Sequence, residues 1–127
     1  MKLLLDTHAF LQILRGDSLG PQAQALFDDV ENELYLSAAS YWEICIKHHL
    51  GKLPLKTGWF DAVEVEMQFN DIRWLNIEII HCQNIIGLDD IHRDPFDRLL
   101  IAQARTGGMT ILTADERIQQ YPVTTAW

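Results

Sequence analysis

Short apolar segments alternate along this chain with segments that carry helix signals. The first apolar segment, residues 2–5, ends directly in Asp6 and is typical of a buried strand. Pro21 stands at the favoured first position of a helix, and Gly51 marks the end of another. This alternation predicts an α/β fold around a short, mainly parallel central sheet of four to five strands, flanked by helices.

The predicted elements fill one domain, residues 1–127, because a chain of this length supports a single core. We predict strands at residues 2–5, 33–36, 72–77, 110–113 and 123–127. We predict helices at residues 7–14, 21–30, 38–50, 59–70, 78–86, 95–106 and 115–120. Functional sites of parallel sheets gather beyond the carboxyl ends of the strands, so the residues after Leu5, Leu36 and Leu112 define where to look.

The charge balance limits the partners of the chain. It has 10 Lys plus Arg against 18 Asp plus Glu, a net charge of −8, which is too acidic to hold nucleic acid by bulk electrostatics. Nucleic-acid chemistry would therefore require bound cations or a basic partner. No stretch approaches the ~18 apolar residues of a membrane span. Cys45 and Cys82 lie in apolar segments without C-x-x-C spacing, so we predict two buried free thiols and a cytoplasmic location.

Four acidic residues occupy positions that one edge of such a sheet brings together. Asp6 closes the first strand, and Asp115 lies just past the fourth. Glu43 lies in the helix that leaves the second strand, and Asp97 in the first turn of the helix that leads to the fourth. A carboxylate directly after a buried strand is expected to be partly buried itself, which is costly without a partner.

Each of these acids also has a purely structural interpretation. Glu43 has the i, i+4 spacing for an ion pair with Lys47 on an exposed face. Asp115 has the position of an N-cap, and the charge of Asp97 favours the helix dipole. Asp94 is expected to cap the helix that begins at Pro95, and has the spacing to pair with Arg98.

Physical chemistry restricts what four converging carboxylates do. Two unit charges about 4 Å apart repel by about 4 kcal/mol at an effective dielectric constant of about 20, so such a cluster takes up protons or binds a cation. An all-oxygen site suits Mg²⁺ or Mn²⁺ better than zinc, and the sequence has no His/Cys cluster with zinc spacing. A hard cation there would bind a phosphodiester and activate water for its hydrolysis.

Four sequence blocks now carry a resemblance, in order and across essentially the whole chain. They are LLLDTHAFL at residues 3–11, LSAASYWEI at 36–44, HRDPFDRLLIAQA at 92–104 and ILTAD at 111–115. The third block is the most specific. With these blocks the chain resembles the PIN-domain ribonucleases, in particular the VapC-type toxins of type II toxin–antitoxin pairs.

The resemblance implies a three-layer PIN-like nuclease domain that cleaves RNA with Mg²⁺ or Mn²⁺. It also implies a homodimer and inhibition by a cognate antitoxin. The catalytic and metal-binding acids of the family fall on Asp6, Glu43, Asp97 and Asp115. In this interpretation Asp6 and Asp97 hold the metal most directly, Glu43 orients the attacking water, and Asp115 completes a second cation site.

The remaining polar and aromatic residues receive supporting or structural roles. Residues expected to orient an acid or to cap a helix beside the site are Thr7, Ser37, Ser40, Asp94 and Thr113. Arg93 and Arg98 are weaker candidates for contact with phosphate. Histidines interpreted as packing or surface residues are His8, His48, His49, His81 and His92, and His92 is the best candidate among them for a site role because it adjoins the acidic helix. Tryptophans expected in the core are Trp42, Trp59 and Trp74.

Two other functions remain open from the residues alone. The chain could be a non-catalytic acidic module that docks a basic partner. It could also be a Mg²⁺-dependent phosphatase of the haloacid-dehalogenase type, although that chemistry requires a second aspartate two residues after Asp6, where this chain has His8.

Overall fold

The computed structural model describes all residues 1–127 and contains one sheet of five strands in the order β3-β2-β1-β4-β5. The strands are β1 (Lys2–Leu5), β2 (Glu33–Ser37), β3 (Ile72–Leu75), β4 (Thr110–Leu112) and β5 (Thr125–Ala126). Every neighbouring pair is parallel. The predicted α/β class and parallel sheet are confirmed, and β1 lies at the centre.

Seven helices connect the strands, at the places where the sequence predicts them. They are α1 (Thr7–Leu14), α2 (Pro21–Asp28), α3 (Ala38–His49), α4 (Trp59–Phe69), α5 (Ile79–Ile85), α6 (Pro95–Gly107) and α7 (Glu116–Gln119). β3 and β5 are shorter than predicted because the strands they pair with, β2 and β4, are themselves short. β3 pairs with β2 only up to Ser37, where α3 begins, and β5 pairs with only two residues of β4.

Both faces of the sheet are covered, which explains the uninterrupted leucines of β1. Leu3 and Leu5 belong to a core formed with α1, α3 and α4, whereas Leu4 points into a second core formed with α6. All three leucines are fully buried. Alternate residues of a strand point to opposite faces, so a strand between two helical layers must be apolar throughout. The predicted three layers follow from this arrangement.

Side-chain caps fix where the helices beside the carboxyl edge of the sheet begin. The Ser37 hydroxyl accepts a hydrogen bond from the backbone N–H of Ala39 at 3.0 Å. Asp94 accepts from the N–H of Phe96 at 2.8 Å and of Asp97 at 3.3 Å. These bonds satisfy N–H groups that have no partner within the helix, so both predicted caps are confirmed.

Several predictions of burial are wrong. Trp42 and Trp74 are exposed, although both were expected in the core. Trp42 lies on the outer side of α3 and packs edge-on against the half-buried Phe96 at the start of α6, with ring centroids 5.3 Å apart. Both thiols are free as predicted, but Cys45 is only partly buried and Cys82 is exposed. No helix has both the length and the apolar composition needed to cross a bilayer.

Candidate metal centre

Asp6 lies at the junction of β1 and α1, in the middle of the carboxyl edge of the sheet. Its side chain is buried, and its Oδ1 accepts a hydrogen bond from the backbone N–H of Ala9 at 2.7 Å. Burial raises the pKa of Asp6, although the Thr113 hydroxyl and the Ala9 N–H act in the opposite direction. Burying a charged carboxylate at this place therefore lowers the stability of the folded protein.

Asp97 lies in the first turn of α6 and faces the same edge. Its side chain is 16% exposed, and burial is the largest of the effects that raise its pKa to about 8. The negative charges of four further carboxylates add to the shift, those of Asp94, Glu43, Asp6 and Asp115. The fold thus brings all four predicted acids close enough for their charges to act on Asp97.

Glu43 is buried on α3, and both of its oxygens have partners. Oε1 accepts a hydrogen bond from the Thr7 hydroxyl, and Oε2 accepts one from Nζ of Lys47, each at 2.6 Å. The bond to Glu43 raises the pKa of Lys47. The predicted i, i+4 pair is therefore present, but the carboxylate faces the interior and only the lysine reaches solvent.

Asp115 follows β4 and combines a structural contact with a place in the cluster. Its Oδ1 accepts from the backbone N–H of Arg117 at 2.8 Å and caps α7, as the structural interpretation predicts. Its own backbone N–H donates to the Thr113 hydroxyl at 3.0 Å. Its Oδ2 lies 3.2 Å from Nε2 of His92, so the second oxygen remains on the side of the site.

His92 is a residue of this site to which the sequence analysis assigns no role, although it names His92 as the best candidate among the histidines. It is buried, and its Nε2 lies 2.8 Å from Oδ2 of Asp97 as well as 3.2 Å from Oδ2 of Asp115. The assignment of His92 to packing or surface was therefore incomplete. The available signal was its place two residues before the Asp94 cap, next to the acidic turn of α6.

The carboxyl oxygens of Asp97 and Asp115 mark where a cation fits, with His92 beside them. One ligand atom each from His92, Asp97 and Asp115 lie within 4.8 Å of one another. Asp6 and Glu43 are outside this tight group, although their charges reach Asp97. Carboxylate oxygens are the donors that Mg²⁺ and Mn²⁺ prefer, and a divalent ion would replace the proton that the raised pKa of Asp97 favours. The residues present therefore fit a hard divalent cation.

The contacts of the two arginines beside the site, Arg93 and Arg98, differ from those predicted from the sequence. The Arg98 guanidinium does not pair with Asp94; it donates to the carbonyl oxygen of Asp89 at 2.8 Å and lies 3.1 Å from the Tyr121 hydroxyl. Asp94 is instead occupied with the N–H groups of its own helix. The predicted Asp94–Arg98 pair is therefore wrong. Arg93 is exposed and forms no side-chain hydrogen bond or ion pair.

The chain is similar to known proteins in one local sequence segment and in its fold. A 33-residue segment of this chain is 54% identical to Ribonuclease VapC16 of Mycobacterium tuberculosis. The matched segment makes up 26% of this chain and 23% of that relative. Two solved structures share the fold at 13% sequence identity. VapBC2 from Rickettsia felis, solved bound to a DNA fragment from its promoter, has a TM-score of 0.75 and covers 100% of this chain and 99% of that one. VapBC-1 from nontypeable Haemophilus influenzae has a TM-score of 0.62, with 99% and 97% covered.

The family assignment rests on a longer match than that local identity. The family model of the PIN domain matches residues 3–123 of the sequence, from the first buried strand to the segment after α7. This range includes Asp6, Glu43, Asp97 and Asp115 together with the strands and helices that position them. The resemblance predicted from the sequence blocks is confirmed, and the chain belongs to the PIN domain family.

Proposed function

We propose that this protein is a metal-dependent endoribonuclease, the VapC-type toxin of a toxin–antitoxin pair, that hydrolyses RNA phosphodiester bonds with Mg²⁺ or Mn²⁺. The observation that carries the proposal is the convergence of Asp6, Glu43, Asp97 and Asp115 at the carboxyl edge of the sheet, close enough for their charges to raise the pKa of Asp97. Such a cluster is unfavourable without a cation. The PIN family match and the ribonuclease name of the similar relative support the choice of activity.

We assign the four acids different tasks. Asp6 and Asp97 hold the cation most directly, and Asp115 completes a second cation position. When bound, the cation supplies positive charge to the scissile phosphate and lowers the pKa of water. Glu43 orients the attacking water, and its two bonds to Thr7 and Lys47 keep its carboxylate in one orientation.

Neighbouring residues support these acids in the proposed reaction. The Thr113 hydroxyl lowers the pKa of Asp6 and accepts the N–H of Asp115, which ties two of the acids together. Ser37 and Asp94 fix where α3 and α6 begin. Arg93 is free to contact a phosphate of the substrate, whereas the guanidinium of Arg98 is already engaged by the protein.

The proposal includes an antitoxin partner, a homodimer and a cytoplasmic location. Both similar solved structures are of VapBC proteins, which supports a protein partner of the antitoxin kind. Large apolar side chains exposed on α4 and α5, those of Phe60, Phe69 and Ile79, offer surface for a second copy or for that partner. The two free thiols are compatible with the reducing cytoplasm.

The test compares two aspartates that share a helix position. Asp97 and Asp61 both stand at the third residue of a helix, but Asp61 is exposed and far from the cluster in sequence. With Mn²⁺ or Mg²⁺ the purified protein should cleave RNA, and chelation by EDTA should stop it. Asp97→Asn should reduce cleavage by about 100-fold or more, whereas Asp61→Asn should not.

Two results would contradict the proposed function. The first is a folded wild-type protein that cleaves no RNA with any divalent cation. The second is an Asp97→Asn variant as active as the Asp61→Asn control. A matched assay in cells asks whether expression of the chain alone arrests bacterial growth and whether Asp97→Asn relieves the arrest.

A further inference from the structure

The segment between α5 and α6 has no regular secondary structure, yet its backbone is tied to one side chain from a distant part of the chain. The hydroxyl oxygen of Tyr121 accepts hydrogen bonds from the N–H of Ile91 at 3.2 Å and of His92 at 2.9 Å. The same hydroxyl donates to the carbonyl oxygen of Asp89 at 2.7 Å. Three backbone groups of this segment therefore depend on one phenol.

Arg98 ties the same segment from the side of α6. Its NH1 donates to the carbonyl oxygens of Asp89 at 2.8 Å and of His92 at 3.3 Å. Its NH2 lies 3.4 Å from the carbonyl oxygens of Ile85 and Leu88. Tyr121 and Arg98 together hold the His92 backbone at both its N–H and its C=O, which sets the point from which the His92 ring extends.

The two ring nitrogens of His92 have different partners, which defines the tautomer. Nδ1 accepts the backbone N–H of Asp94 at 3.3 Å, and an accepting nitrogen carries its lone pair there. The ring proton therefore lies on Nε2, which donates it to Oδ2 of Asp115 at 3.2 Å and lies 2.8 Å from Oδ2 of Asp97. In this tautomer Nε2 has no lone pair to offer a metal ion.

We propose that His92 is a positioning residue, whose Nε2 donates to Asp115 and contacts Asp97 and so holds the two carboxyl groups together for divalent-cation binding, and that Tyr121 and Arg98 set its place. The inference deepens the proposed function and rests on it, because it concerns the same cation site. Nε2 contacts only Oδ2 of each carboxyl group, and Asp97 keeps its Oδ1 free of hydrogen bonds. Outer groups that orient ligands in this way typically contribute 10- to 100-fold to metal affinity.

The first experiment needs no variant. Nitrogen-15 NMR of histidine-labelled, metal-free protein reports which ring nitrogen carries the proton. His81 provides an internal reference, because it is equally buried and its Nδ1 accepts the backbone N–H of Glu78 at 3.0 Å. Both rings should carry the proton on Nε2. A proton on Nδ1 of His92 would overturn the proposal.

The second experiment measures Mn²⁺ affinity by calorimetry for two replacements of His92. His92→Phe keeps a ring without a donor, whereas the side-chain amide of His92→Gln places a donor near the position of Nε2. Phe should weaken Mn²⁺ binding by about 10- to 100-fold, and Gln should restore it to within about 3-fold of wild type. His81→Phe is the matched control and should bind Mn²⁺ as wild type does.

The outcomes separate this inference from the proposed function. A wild-type protein that does not bind Mn²⁺ contradicts the metal-dependent function itself. A wild type that binds, with His92→Phe binding equally well, refutes the role of His92 and leaves the function standing. Coupling between Mn²⁺ and a nitrogen-15 nucleus of His92 in electron paramagnetic resonance would also refute it, because it would make His92 a direct ligand.

Tyr121→Phe keeps the test informative if His92→Phe does not fold. This variant loses only the hydroxyl that ties the 89–92 backbone, while the phenyl ring still fills the core under α7. We expect Mn²⁺ affinity about 3- to 10-fold below that of wild type. Unchanged affinity, in a variant whose thermal melt shows that it is folded, would remove Tyr121 from the proposal.

Discussion

The two halves of the acidic cluster balance their negative charge in opposite ways. In the half built by α1 and α3, the buried Glu43 has a lysine as its partner and a hydroxyl on its other oxygen. In the half built by α6 and β4, Asp97 and Asp115 have a histidine Nε2 between them and no lysine or arginine as an ion-pair partner, and the pKa of Asp97 rises to about 8. The protein therefore supplies a cation of its own, Lys47, to one half and no paired lysine or arginine to the other.

The largest expected effect comes from Asp6, which lies between the two halves. Asp6→Asn should abolish measurable RNA cleavage, a loss of about 100-fold or more. The same change should raise the melting temperature of the metal-free protein, because an amide avoids the cost of burying a charge. A variant with normal cleavage and a lower melting temperature would contradict the comparison.

Metal binding should stabilise the half that lacks a cation. At a free Mn²⁺ concentration about 100 times the Kd, the free energy of unfolding should increase by about 2.7 kcal/mol. Thermal denaturation with and without Mn²⁺ measures this increase. Asp97→Asn should remove most of it, whereas Asp61→Asn should retain it. Equal stabilisation of both variants would place the ion elsewhere.

The pH dependence of stability should come from the same half. Asp97 takes up a proton below about pH 8 in the folded protein, but only near its ordinary value of 3.8 when unfolded. The folded state therefore binds more protons between these values, and the free energy of unfolding of the metal-free protein should fall as pH rises from about 4 to 8. Urea titrations across this range should show a shallower fall for Asp97→Asn. An identical slope would refute the shifted pKa.

Removing Lys47, the cation of the half built by α1 and α3, should have the smallest effect on the free energy of unfolding. Lys47→Met leaves the buried Glu43 without its ion pair, and because Lys47 is itself partly exposed the loss should be about 1–2 kcal/mol. The exposed pair Arg73–Glu33, 3.5 Å apart, provides the control, since Arg73→Met should cost less than about 0.5 kcal/mol. Equal losses measured in urea would mean that burial of Glu43 contributes nothing.

Local signals were sufficient to predict the fold. The leucines of β1 predict a strand covered on both faces, and Ser37 and Asp94 mark helix starts through contacts within a few residues. The ends of β3 and β5 depend instead on how far the neighbouring strands extend. Local sequence does not carry that information.

The site was predictable where it follows the sheet and not where it follows an irregular segment. Asp6 and Asp115 come directly after strands, and the rule for parallel sheets locates them. His92 lies on a segment whose path is set by Tyr121, about thirty residues later. The Asp94–Arg98 spacing indicates only that the two residues are neighbours, and both found better partners elsewhere.

Two acids of the cluster, Asp6 and Asp115, also cap the helices that follow them. Asparagine makes the same cap without the charge, whereas alanine loses it. A gene copy released from selection for activity is therefore expected to drift toward asparagine at these two positions, with its architecture intact. Among descendants of this chain, asparagine at positions 6 and 115 would indicate a protein that has lost its activity and kept its fold.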